Sequence, residues 1–206
     1  MLTIATGAAT GKTLFNARRY YGTGAARSIT GFGFAPDLIW CKSRSAGYSH
    51  AVDDTVRGAG NEIKSDTTAA ESLQADTITT FDNDGFSVGT SVSFNSSSNT
   101  YVAWGWKAGG APSGALGDIS STGIGAGTIT GSGDTGWSSV SIVSSVTQSV
   151  NQTSGFSITA YTGEDSNGTF PHNLGATPDF VLIKCRNEAT EWTARHSSMT
   201  AGEICK

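Results

Sequence analysis

Gly33-Phe34-Ala35-Pro36-Asp37-Leu38-Ile39-Trp40-Cys41-Lys42-Ser43-Arg44 returns later as Gly175-Ala176-Thr177-Pro178-Asp179-Phe180-Val181-Leu182-Ile183-Lys184-Cys185-Arg186. The spacing is 142 positions (Gly33 to Gly175), and it holds without a gap to Ala59-Gly60 and Ala201-Gly202. Gly, Pro, Asp, Lys and Arg are kept. The positions between Asp and Lys change identity but stay apolar. Upstream, Tyr20-x-Gly22 and Tyr161-x-Gly163 extend the match with one residue of slippage. A duplicated unit of this length means an array of like modules. In each copy the Pro-Asp pair leads into a short apolar run, the pattern of a strand buried on both faces.

Further strand signals surround that run. Phe86-Ser87-Val88-Gly89 alternates, with Phe86 and Val88 on one side. Between Tyr101 and Trp106, Val102, Trp104 and Trp106 share one face, and Tyr101, Ala103 and Gly105 share the other. Phe156-Ser157-Ile158-Thr159-Ala160-Tyr161 is a late strand, and Asp84-Gly85, Asn99-Thr100, Gly109-Gly110 and Asn167-Gly168 mark turns. One stretch suggests a helical turn or two, Asp66-Thr67-Thr68-Ala69-Ala70-Glu71 before Leu73. The expected fold is all-β, an antiparallel β-sandwich of jelly-roll or concanavalin-like form.

The organisation follows from the repeat. Residues 1–13 read as an N-terminal arm, 14–108 as the first module, 109–137 as a Gly/Ser-rich linker and 138–206 as the start of a second, truncated module. The valines and isoleucine of 138–155 suggest one edge strand. The first copy runs 48 residues past Gly60 to Ala108, the second only four past Gly202, so 44 are missing. The chain therefore reads as a fragment whose second module lacks apolar sequence it needs for stability.

Charged residues make up 15%, net charge is −4, and no run of Lys or Arg occurs, which argues against a nucleic-acid partner. Cys41, Cys185 and Cys205 are odd in number and occupy unmatched repeat positions, so free thiols in a reducing compartment are expected. The opening residues lack the basic and apolar regions of a signal peptide. No segment is long and apolar enough for a membrane span.

Several motifs resemble chemical sites and fall short. Gly7-Ala8-Ala9-Thr10-Gly11-Lys12-Thr13 has three residues between its glycines where a phosphate loop needs four. Asp82-Asn83-Asp84-Gly85 opens like a calcium loop but lacks the later oxygen ligands, and turn chemistry explains it. The repeated Asp37 and Asp179 sit beside Pro once per copy, as turn-closing residues do, rather than as one unique acid–base pair. No cofactor and no catalytic residue is expected. Lys42 and Arg44, with Lys184 and Arg186, read as solvated strand-end charges that could also meet an anionic sugar. Most tryptophans read as core, while Tyr48 and Tyr101 are candidates for surface contact.

These motifs, in this order, resemble a repeat module of tail-fibre-like and other virion-associated proteins of tailed, often marine, bacteriophages. The resemblance rests on Gly33 to Trp40, Asp53-Asp54-Thr55-Val56-Arg57-Gly58-Ala59, Asp84-Gly85-Phe86-Ser87-Val88-Gly89 and Asn99 to Ala108. Cys41 and Gly105 depart from the usual pattern. The resemblance implies a non-enzymatic structural and interaction module of a tail fibre or tail appendage, located in the virion. It implies other tail proteins as partners, a homo-oligomer in the full-length protein and contact with a host-surface glycan. The alternative is a depolymerase-like, carbohydrate-active domain with two convergent carboxylates.

Overall fold

The computed structural model describes residues 2–4, 14–117, 119–129, 146–163, 171–200 and 202–205. The chain is all-β, an antiparallel sandwich in three sheets.

The first module supplies two of them. β2 (Phe15–Tyr21), β4 (Leu38–Ser43), β5 (Ala51–Asp54), β6 (Asn61–Lys64), β7 (Ser72–Leu73) and β10 (Thr100–Trp106) form one, ordered β2-β10-β4-β5-β6-β7. β3 (Arg27–Thr30), β8 (Ile78–Asp82) and β9 (Gly85–Val88) form a shorter sheet ordered β3-β9-β8. Their facing sides bury Ile39, Cys41, Tyr101 and Ala103 against Ile29, Ile78, Phe86 and Val88, with Phe94 closing the core. Alternation along β10 decides which side is which: Tyr101, Ala103 and Gly105 are buried, and the tryptophans point the other way. Gly105 is required because a Cβ there would lie 2.6 Å from the Phe32 ring.

The only helix among the described residues is α1 (Val92–Asn95), four residues long, with the Ser91 side chain accepting from the Ser93 amide. The stretch expected to be helical is instead turn, coil and strand β7. Its weak cap had no apolar stripe behind it, and the backbone pairs with β6 instead.

The third sheet gathers β11 (Ile124–Ile129), β12 (Val146–Asn151), β13 (Phe156–Tyr161), β1 (Leu2–Ile4), β14 (Phe180–Ile183) and β15 (Thr193–His196), in the order β11-β12-β13-β1-β14-β15. Three sequence expectations change here. The expected N-terminal arm contains a central strand. The expected linker contains β11, where Gly127 lets Leu116 approach its backbone closely. β12 is flanked on both sides rather than at an edge, and residues 138–145 lie outside the described residues.

The two copies superimpose strand by strand in sequence. β2, β4 and β5 of the first correspond to β13, β14 and β15 of the second, so the chain around Pro36 and around Pro178 enters equivalent strands. In the first copy β10 lies between β2 and β4; in the second β1 lies between β13 and β14. The register is the same as well. Trp104 faces Ala17 and Trp40, Gly105 faces Asn16 and Ile39, and Trp106 faces Phe15 and Leu38. Leu2 faces Ile158 and Leu182, Thr3 faces Ser157 and Val181, and Ile4 faces Phe156 and Phe180. Three of these partners correspond at the 142 spacing, and the three on the upstream strand correspond at 141, the one-residue slippage of the repeat there. β1 thus takes in the second copy's sheet the position that β10 takes in the first.

The outer faces of the two copies pack together. Leu38, Val52 and Ala108 meet Phe156 and Ile158, with Trp40, Trp106 and Leu182 at the margin. Trp106 stacks on Phe156 at 6.1 Å and contacts Phe15, the equivalent residue of its own module, at 4.9 Å.

Gly105→Val should lower the unfolding free energy by about 1–3 kcal/mol, the usual cost of overpacking a filled core. Denaturant unfolding measures it; an unchanged midpoint would remove Gly105 from the packing argument.

Candidate functional site

A cavity of about 810 Å³ opens between the two modules. Leu38, Trp40 and Val52 form its apolar side on the first module, and Ile158, Leu182 and Trp192 form the side on the second. Most of these residues also belong to the apolar cluster between the two outer faces.

One wall is ionic. The Arg57 guanidinium is buried; Nε donates to Asp54 Oδ2 at 2.6 Å and Nη1 to Glu71 Oε2 at 3.1 Å. It also donates to the Val52 and Asn61 carbonyls. Burial works against its charge, but Asp54 and then Asp53 hold its pKa above the ordinary value. Glu71 is shared: Arg186 of the second copy donates to Oε1 at 2.6 Å and to Oε2 at 3.0 Å. The Arg186 carbonyl accepts from the Glu71 amide, and Trp192 Nε1 donates to the Lys64 carbonyl. The cavity is therefore framed by contacts that tie one module to the next. A bidentate Arg–carboxylate pair fixes geometry as well as charge.

The residues singled out from sequence fall in different places. Lys42 Nζ donates to the Ala46 and Tyr48 carbonyls, and Lys184 Nζ repeats the contact on the Glu188 carbonyl. The repeated lysine is a loop staple rather than a free charge. Arg44 is exposed and Tyr48 half-buried. Tyr101 is not a surface residue: it is fully buried, its hydroxyl donating to the Val92 carbonyl and accepting from the Ser96 amide. It shares the inward face of β10 with Ala103, so alternation excludes it from solvent. The exposed aromatic at that end of the sheet is Tyr21, paired with Thr100, whose carbonyl accepts from the Arg44 amide.

The carboxylates singled out from sequence make local contacts at strand ends and turns. Asp37 accepts from Lys107 Nζ and the Ala108 amide, both at 2.7 Å, pinning the end of β10 to the start of β4. Its repeat, Asp179, accepts from Ser197 Oγ. Asp84 accepts from the Gly33 and Gly31 amides, which hold its carboxyl below the usual range. That is turn chemistry at the calcium-like motif. Among the described residues no group of three His, Cys, Asp or Glu is placed to hold a metal ion. The phosphate-loop-like stretch lies outside the described residues. Cys41, Cys185 and Cys205 are free, and burial pushes the Cys41 thiol up to about 12. No described helix is long and apolar enough to cross a membrane.

Sequence reasoning missed Arg57 and Glu71 as a module joint, and also Asp53. Asp53 is fully buried on β5, where the Gly60 amide is the one backbone donor that acts on its carboxyl. Burial raises its pKa to about 7; Arg57 opposes the shift and Glu62, opposite it on β6, adds to it.

A family described as a domain of unknown function, DUF7483, matches residues 10–141 and again residues 130–205. The chain belongs to this family and carries two matches to it in tandem. No curated protein and no solved structure matches the chain.

Because the folded-state pKa of Asp53 lies above its ordinary value of 3.8, the folded protein holds a proton that the unfolded chain releases. Stability from this group should therefore fall as pH rises from about 4 to about 7 and then level off. Thermal midpoints across that range should decline for the unmodified chain and show a flatter profile for Asp53→Asn. Parallel profiles would contradict the assignment.

Proposed function

We propose that this chain is a non-enzymatic structural and interaction module of a bacteriophage virion, part of a tail fibre or tail appendage. It works as one link in an array. The observation that carries this reading is the joint between copies. One unit occurs twice, and its outer faces stack through Trp106 and Phe156 and lock through Arg186 and Glu71. Such stacking extends a rod, and Asp37, Asp84 and Asp54 are engaged in turns and ion pairs that hold the modules' strands in place. The partners are other tail proteins and, in the full-length protein, further copies of the same chain.

At the end of the first module Tyr21, Arg44 and Tyr48 lie around the start of β10. An aromatic ring and a guanidinium suit a host-surface glycan, one by stacking and the other by pairing with acidic groups. Single contacts of this kind are weak, and repetition along the array multiplies them.

Immunogold labelling of purified particles should place the chain on a tail appendage, and the recombinant chain should bind acidic glycans on an array without releasing reducing ends. Tyr21→Ala with Arg44→Ala should cut that binding at least tenfold. Released reducing ends would favour the depolymerase alternative, and label absent from particles would overturn the virion assignment.

A further inference from the structure

We infer that Asp53 and Glu62 share one proton across β5 and β6 and so latch the module joint, which holds while the proton is present and loosens when it leaves to solvent. This goes beyond the proposed function, since it concerns control of the joint and stands whether or not the chain belongs to a virion.

Strand register places the pair. Ala51 faces Lys64 and Val52 faces Ile63, which puts Asp53 opposite Glu62. Alternation turns Asp53 to the side of Ile39, Cys41 and Ala51, the core side of the first module. Both carboxylates are buried, at 0% and 3% exposure. Cations serve them poorly. Arg57 directs its hydrogen bonds to Asp54, Glu71 and the Val52 and Asn61 carbonyls. Lys64 reaches Glu62 only at 3.8 Å, from a side chain 39% exposed. The other groups around the pair are Asp54, Cys41 on β4, Ser93 on α1 and Asp76, and none adds a positive charge. Like charges buried opposite one another on paired strands repel, and one proton removes the repulsion. Lys64 and Ser93 favour charge on Glu62, so the proton sits on Asp53, whose carboxyl burial pushes up to about 7.

The strand that carries Glu62 also carries the joint. β6 has four residues and β7 two, and together they form the edge of their sheet. The Lys64 carbonyl accepts from Trp192, and β7 is entered from Glu71, which holds Arg186. Gly60, whose amide acts on Asp53, accepts from the Gln74 amide just past β7. Displacing β6 from β5 therefore moves both ties to the second module. Because the folded-state value is raised, the latch is closed below about pH 7 and weakens as pH rises through it. By linkage, an open joint in turn lowers the affinity of Asp53 for its proton.

Carbon-13 NMR of the side-chain carboxyls in the labelled chain should show Asp53 titrating near pH 7. Glu62→Gln should move that midpoint down by about one unit, as loss of a like charge requires. Arg186→Ala, an exposed change that breaks the joint, should also move it down, whereas loss of a positive charge alone would move it up. Hydrogen-exchange protection at Glu71 and at residues 186–192 should drop about tenfold from about pH 6 to about pH 8, the ratio that one unit of coupling sets. Asp53→Asn should abolish that drop. His50→Gln should keep it, which separates the pair from the imidazole whose backbone carbonyl accepts from Ser65. An Asp53 midpoint near 4, or one that fails to fall in Glu62→Gln or in Arg186→Ala, would overturn the inference. So would a loss of protection as large in Asp53→Asn as in the unmodified chain.

Discussion

Everything in this structure depends on a strand entering between two others that are already neighbours in sequence order. In each copy the opening strand and the Pro-Asp strand are held one sheet position apart, and the gap must be filled. A buried backbone amide or carbonyl without a partner costs as much as a lost hydrogen bond. Neither flank can close the gap, because their outward edges already pair or end the sheet. The filling strand must come from far along the chain: β10 in the first copy, β1 in the second.

Filling the gap also builds the surface by which the modules meet. β10 turns Trp104 and Trp106 away from its own core; Trp106 becomes the contact with the next sheet, and Trp104 packs edge-on against Trp40. On the inward side Ala103 and Gly105 are small where the Phe32 ring fills the core, and Tyr101 is buried beyond them. One alternation thus sets the inner packing and the joint together. Asp37 then fixes where β10 ends by accepting from Lys107 and Ala108. Such long-range pairing makes for slow folding, since loop closure precedes the contacts that reward it.

Much of this was legible in the sequence. The repeat around Pro36 and Pro178, the paired strands, the alternation of β10 and the turn at Asp84 all follow from local patterns that the structure retains. What could not be read was where a strand goes. The Tyr101 ring suits a surface contact by its residue type, but the face it shares with Ala103 points inward and buries it. The segment from Ile124 to Ile129 has linker composition because its glycines carry no apolar side chains, yet they allow Leu116 and Ile119 to pack close to the backbone. The N-terminal strand left a trace: Ile4-Ala5-Thr6-Gly7 parallels Trp106-Lys107-Ala108-Gly109 in spacing of the apolar residue and the glycine. Four residues are too few to register as a repeat. Arg57 and Glu71 gave no signal, because a joint between modules is visible only once both are folded.

The most direct measurement is nuclear Overhauser contact from the backbone of Thr3 in the uniformly labelled chain. The account predicts cross-strand contacts to Ser157 and to Val181 at once, the signature of one strand paired on both edges. Contacts to neither residue, or a register displaced on either side, would contradict it.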